Sequence, residues 1–206
     1  MTAGPRIAVL DYGIGNLRSA QKALERVGAD ARLTADADEI DAADAVVLPG
    51  VGAFGACMDA LRRADLEPLV HSVVASGRPF LGICVGMQML FDDSEEDPGA
   101  TGLGVIRGSV RWIPGRLPRP QMQWNQVRLT GDDPMWNGLG ANPWMYFVHS
   151  LHGVPLDPAH VTATVEYGDT INVAFRRDNV VAVQFHPEKS ATSGLGLLAN
   201  FARSAT

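Results

Sequence analysis

The chain has 206 residues, 46% of them hydrophobic and 19% charged, with a formal net charge of -6 at pH 7. These totals fit one globular domain spanning 1–206 rather than a disordered chain. The acidic balance gives a nucleic-acid partner no electrostatic support, and no apolar run reaches the ~18 residues a membrane span needs.

The first half alternates short apolar runs with helical patterns. Ile7–Leu10 reads as a strand and Asn16–Val27 as a helix, with Leu17, Ala20, Leu24 and Val27 at helical spacing. Ala31–Thr34 is a weaker strand and Ala45–Leu48 a buried one, followed by the loop Pro49-Gly50-Val51-Gly52. Cys57–Ala64 and Leu69–Ala75 read as helices, Phe80–Ile83 as a buried strand and Val85–Phe91 as a helix. The second half changes character. Val105–Ile106, Val110–Trp112, Val127–Leu129, Trp144–Val148, Val161–Val165, Ile171–Phe175 and Val180–Phe185 are short extended runs between turn residues. A helix over Leu195–Arg203 follows. The expected fold is one α/β domain: helices on both faces of a mostly parallel central sheet, with antiparallel strands added by the second half.

Cys57 and Cys84 are the two cysteines, too few for a disulfide framework. The N-terminal apolar stretch is too short for a secretory leader, so a reducing cytoplasm is the expected compartment. Cys57 lies in an alanine-rich helical pattern and reads as packing. Cys84 stands in Gly82-Ile83-Cys84-Val85-Gly86, which follows a strand and opens a helix. That is the setting of a nucleophile elbow, where small residues must flank a sharp turn. A helix N-terminus there supports a thiolate. The competing reading is an inert buried cysteine.

A cysteine nucleophile needs a base and a group to orient it. His186-Pro187-Glu188 ends a strand. Alternation along an extended chain places His186 and Glu188 on one side, and Pro187 disfavours a helix. His149, at the end of another strand, is a weaker rival. The Gly50–Gly52 loop follows a buried strand and could turn backbone N–H groups towards an oxyanion. Asp11–Asn16 has a Gly-x-Gly pattern after a strand, but Arg18 stands where a dinucleotide fingerprint needs its third glycine, so no nucleotide site is expected. No His/Cys/carboxylate cluster has metal-ligand spacing, and neither metal nor cofactor is expected.

Together Gly-Ile-Cys84-Val-Gly-Met-Gln88, Pro-Gly50-Val-Gly52 and His186-Pro-Glu188 resemble the triad-type (class I) glutamine amidotransferases. A narrower likeness is to the glutamine amidotransferase subunits of imidazole glycerol phosphate synthase, in histidine biosynthesis. It is carried by Asp11–Ser19, Ser94–Glu96, Met122–Asn125, Tyr146–Ser150 and His186–Ser190. The resemblance implies a flavodoxin-like three-layer sandwich and hydrolysis of glutamine to glutamate and ammonia through a Cys84 thioester. In it, His186 moves protons and Glu188 orients it. The Gly50-Val51-Gly52 loop and the N–H of Val85 face the oxyanion, the loop either as it stands or after a peptide flip triggered by the partner. Gln88, Glu96, Ser150 and Leu151 match positions that hold the amino-acid end of glutamine, although Asp92–Asp97 also reads as a solvated acidic face.

The chain leaves no room for a synthase domain, so the ammonia is expected to be used by a separate protein or released. The resemblance makes that partner a (β/α)8-barrel cyclase subunit in a heterodimer. Asn16, Trp124, Tyr146 and Lys189 are expected at or near the interface, although either aromatic could instead be core packing. Two departures stand out: Leu151 replaces a tyrosine, and Gln123 replaces a glycine in the Gln121–Asn125 stretch. Rival readings are the glutaminase of another synthase, a stand-alone cysteine hydrolase, and a non-enzymatic flavodoxin-like binding module.

Overall fold

The computed structural model describes residues 4–206. These form thirteen strands and six α-helices, linked in part by 3-10 turns. In the first half, β1 (Arg6–Leu10), α1 (Leu17–Arg26), β2 (Asp30–Thr34), α2 (Ala37–Asp41), β3 (Ala45–Gly50), α3 (Phe54–Arg63), α4 (Glu67–Ala75), β4 (Phe80–Cys84) and α5 (Val85–Gln88) follow one another. The second half runs β5 (Asp93–Ser94), β6 (Gly108–Trp112), β7 (Gln121–Gln126), β8 (Arg128–Leu129), β9 (Trp144–His149), β10 (Leu151–Pro155), β11 (Val161–Glu166), β12 (Thr170–Arg177), β13 (Val180–Val183) and α6 (Ala191–Ser204).

Eight strands make the central sheet, in the order β2-β1-β3-β4-β13-β12-β11-β8. The strands from β2 to β13 are parallel, and the last three join antiparallel. The direction of winding reverses at β1, which puts the helices after β1 and after β2 on opposite faces. The parallel strands are nearly all apolar because both faces are covered: every residue of β3 and β4 is buried. The fold is therefore the expected α/β sandwich with a mostly parallel sheet. No helix among the described residues is long and apolar enough to cross a membrane.

The second half differs from its expectation in placement. Only β8 and β11–β13 extend the central sheet. β10-β6-β5 form a separate small sheet, and β7 and β9 a two-stranded ribbon. Val105–Ile106, expected as a strand, is a buried bend. Its neighbourhood bonds to a turn instead: the N–H groups of Leu103, Gly104 and Ile106 donate to the carbonyls of Met89, Phe91 and Leu90. The helix expected over Val85–Phe91 stops at Gln88, because the N–H groups of Leu90 and Phe91 donate three residues back, to the carbonyls of Met87 and Gln88, instead of four. Val180–Phe185 leaves the ladder at Val183, where Gln184 and Phe185 bend away.

Candidate active site

The carboxyl ends of β3, β4 and β13 meet at one edge of the sheet. Cys84 is the last residue of β4, at φ 56° and ψ −115°, with α5 starting at the next residue. A non-glycine residue held there stores roughly 1–3 kcal/mol of strain, which the surroundings must impose. They do so by close packing. A Cβ on Gly86 would lie 1.9 Å from the Leu48 carbonyl oxygen, and one on Gly82 would lie 2.8 Å from Leu90 Cδ1. The flanking glycines thus let α5 sit directly against β3 and fix the turn that presents Cys84.

His186 reaches the same edge from β13, which pairs with β4 in parallel register up to Val183–Ile83. The His186 N–H donates to the Tyr146 carbonyl at 3.1 Å. Ser190 Oγ donates to the His186 carbonyl at 2.6 Å and accepts from the Tyr146 N–H at 3.0 Å. Glu188 Oε1 lies 2.8 Å from His186 Nδ1, with both side chains buried. The sequence argument for this pair needs correction. Positions 186 and 188 do not alternate along an extended strand. Pro187–Lys189 is a 3-10 turn with His186 at its N-cap, a place that suits proline because its missing N–H would be unpaired there anyway. The turn folds Glu188 back onto the ring.

Burial pulls the His186 imidazole towards its neutral form. Hydrogen bonds to Cys84 and Glu188 outweigh that and lift its pKa to about 10. With Nδ1–H donating to a carboxylate, Nε2 is left to face Cys84. The rival His149 is different. It is buried, its Nδ1 lies 2.7 Å from the Leu151 carbonyl, and burial pushes its pKa down to about 4. A carbonyl only accepts, so Nδ1 carries the proton and the neutral Nε2 must accept. Gln121 Oε1 is drawn 2.9 Å from that Nε2 while Gln121 Nε2 lacks a partner among the described residues. Exchanging the two ends of the amide supplies the donor that His149 needs.

A pocket of about 300 Å³ opens on Cys84 and His186. Val51, Gly52, Val85, Gln88, Glu96, Ser150 and Leu151 line it, as does Lys189. Gly50 instead lines an adjoining crevice with Asn16, His186 and Glu188. The acidic run divides its roles: Glu95 faces outward to Arg111, whereas Glu96 turns in and accepts the Phe54 N–H at 2.8 Å, capping α3. Leu151 is buried, and its backbone carbonyl is the group that His149 holds. Gln123 sits in β7 opposite Phe147, outside the positive-φ residues, so the position does not require glycine.

One residue escaped the sequence reading. Gln184 is fully buried; its Oε1 accepts from Gln88 Nε2 at 2.9 Å, and its Nε2 lies 3.8 Å from Cys84 Sγ. The available signal was an amide within the apolar run Val180–Phe185, since a buried amide has to find partners.

The residues expected at an interface cluster around this edge. Trp124 is 44% exposed on the ribbon and meets the Tyr146 ring edge-on at 5.9 Å. Met122 and Trp144 are also exposed on β7 and β9. Lys189 is exposed next to the His186–Glu188 pair, and Asn16 stands at the N-cap of α1.

Residues 8–205 match the family described as "Glutamine amidotransferase class-I". The chain is 52% identical over 206 residues to the imidazole glycerol phosphate synthase subunit HisH of Synechococcus elongatus, covering 98% of this chain and 94% of that one. It is 50% identical over 201 residues to the HisH subunit of Salinibacter ruber, covering 94% and 92%. Among solved structures, a glutamine amidotransferase superposes with a TM-score of 0.76 at 25% identity, over 97% of this chain and 98% of the other.

Proposed function

The chain belongs to the class I glutamine amidotransferase family, and on that premise we propose that it is the glutaminase subunit of an imidazole glycerol phosphate synthase. It hydrolyses L-glutamine and passes the ammonia to a cyclase partner. The observation that carries the reading is the assembly of Cys84 at a strained elbow with the buried His186–Glu188 pair at 2.8 Å in one pocket.

The chemistry follows from the positions. The Cys84 thiolate adds to the side-chain amide carbon of glutamine. The resulting oxyanion receives the N–H of Val85 at the start of α5 and N–H groups of the Gly50–Gly52 loop. His186 gives its proton to the amide nitrogen as the C–N bond breaks, and ammonia departs, leaving a γ-glutamyl thioester on Cys84. The now neutral His186 takes a proton from water, whose oxygen attacks the thioester. The carbon–sulfur bond breaks, glutamate leaves, and thiolate and imidazolium are restored. Glu188 keeps the ring in the Nδ1–H form and supports its charge. Glu96 offers its carboxylate to the substrate ammonium, and Gln88, Ser150 and the Leu151 backbone hold the remainder of the amino-acid end.

The partner belongs to the same proposal. The relatives are named as subunits, a name that implies a second chain. The reading assigns this chain a (β/α)8-barrel cyclase in a heterodimer, docked over Asn16, Trp124, Tyr146 and Lys189. The half-exposed aromatic ribbon beside the pocket supports that placement.

The test measures glutamate release by the chain alone and with its cognate cyclase, for the wild type and Cys84→Ala. The wild type should release glutamate faster with the cyclase present. The variant should lose at least ~10³-fold in turnover while the complex still makes imidazole glycerol phosphate from added ammonia. Glutamine-dependent synthesis that survives Cys84→Ala would overturn the reading.

A further inference from the structure

Cys57 reads from the sequence as a packing residue, yet its thiol has a directed contact. It lies on α3, fully buried, with Sγ 3.2 Å from the Val51 carbonyl oxygen. That is a good length for a sulfur donor to a carbonyl. Burial pushes the Cys57 pKa up, so the group is a thiol with a proton to donate.

The contact acts on the loop proposed to face the oxyanion. A trans peptide carries its C=O and N–H on opposite sides. Drawing the Val51 carbonyl towards the buried thiol therefore turns the Gly52 N–H the other way. Val51 and Gly52 line the pocket, to which no residue of α3 contributes. Gly52 has φ +92°, a conformation glycine adopts at little cost. The helix carrying the thiol is itself anchored at this pocket, since Glu96 caps its first residue at 2.8 Å. Upstream, a second buried donor holds the neighbouring turn: Tyr12 Oη donates to the Pro49 carbonyl at 2.6 Å. The carbonyls before and after Gly50 are thus both held from the core side.

We propose that Cys57 is a positioning residue for the oxyanion loop: its thiol holds the Val51 carbonyl under α3 and so aims the Gly52 N–H into the pocket. The inference rests on the glutamine-hydrolysing reading given above. Its effect belongs to the transition state, where the oxyanion exists, and not to the binding of glutamine.

The experiment compares wild type, Cys57→Ala and Cys57→Ser in complex with the cognate cyclase, measuring kcat and KM for glutamate release. Alkylation of Cys84 by iodoacetamide, followed by peptide mapping, is measured in parallel, because that displacement needs no oxyanion donor. Cys57→Ala should lower kcat about tenfold, a fraction of the loss on removing a whole oxyanion donor, with KM within about twofold. Cys57→Ser, which keeps a donor, should return kcat to within about threefold of wild type. The alkylation rate should be the same in all three. Should Cys57→Ala prove unstable, Cys57→Val fills the site without a donor and takes its place. A donor-free variant that keeps its kcat, a serine variant no better than alanine, or a joint fall in kcat and alkylation rate would each overturn the positioning role. A wild-type complex that releases no glutamate would instead overturn the glutamine-hydrolysing reading, and the positioning role with it.

Discussion

The two halves of the molecule bring their groups to the pocket in different ways. In the parallel half, Cys84 and the Pro49–Gly52 loop sit at strand-to-helix junctions, where close packing decides the geometry: glycines let α5 press on β3, and Cys84 is forced to φ 56°. In the second half, His186 and Leu151 sit at chain bends whose direction is set by hydrogen bonds. Tyr146 and Ser190 hold the backbone of His186, and His149 holds that of Leu151. A junction built from local sterics fails by clash. One built from hydrogen bonds fails by losing orientation.

Gly86→Ala tests the local junction and should have the largest effect. Its Cβ would meet backbone at 1.9 Å, which neither β3 nor α5 can yield without moving, so about 3 kcal/mol or more of stability should be lost in chemical denaturation. Gly131→Ala, in the second half and with nothing within 4 Å, should change stability by about 0.5 kcal/mol at most. Similar losses in the two variants would break the contrast.

Glu188→Gln tests the hydrogen-bonded part. It keeps the shape of the side chain but removes the charge beside His186, so kcat should fall about 10²-fold. The pH profile should move as well. In the wild type, His186 gives up its proton only near pH 10, and kcat/KM should fall on the alkaline side there, as a property of the coupled Cys84–His186–Glu188 set. Without the carboxylate, one of the groups raising the His186 pKa is gone while burial still lowers it, so the alkaline limb should shift to lower pH. An unmoved limb would mean that Glu188 does not support the imidazolium.

Trp124→Ala tests the surface that the second half presents. Half-exposed, the ring contributes little to the core, so stability should fall by less than about 1 kcal/mol. Affinity for the cyclase should weaken by about 2 kcal/mol, near 30-fold in Kd, as measured by titration calorimetry. Unchanged affinity would place the interface elsewhere.

The same contrast decides what could be read in the sequence. The elbow was legible because five consecutive residues after an apolar strand encode it. His186 and Glu188 were legible as a pair, but the reason given for their pairing was not the one found, since a 3-10 turn and not strand alternation joins them. Gln184 was hidden because its partners, Gln88 and Cys84, lie about a hundred positions away along the chain. Strand β7, Gln-Met-Gln-Trp-Asn-Gln, does alternate, but its apolar Met122 and Trp124 face outward while Gln121 is buried, so the pattern does not read as a core strand. Its pairing with β9, apart from the main sheet, depends on tertiary contacts that no local pattern records.

In the proposed reaction Cys84 is the nucleophile for glutamine while Cys57 stays buried beneath the loop. Treatment with a glutamine analogue bearing an electrophilic chloroketone at the amide position, followed by intact mass measurement and peptide mapping, tests it most directly. The account predicts a single adduct on Cys84, slowed by added glutamine. An adduct on Cys57, no adduct, or labelling that glutamine does not slow would contradict it.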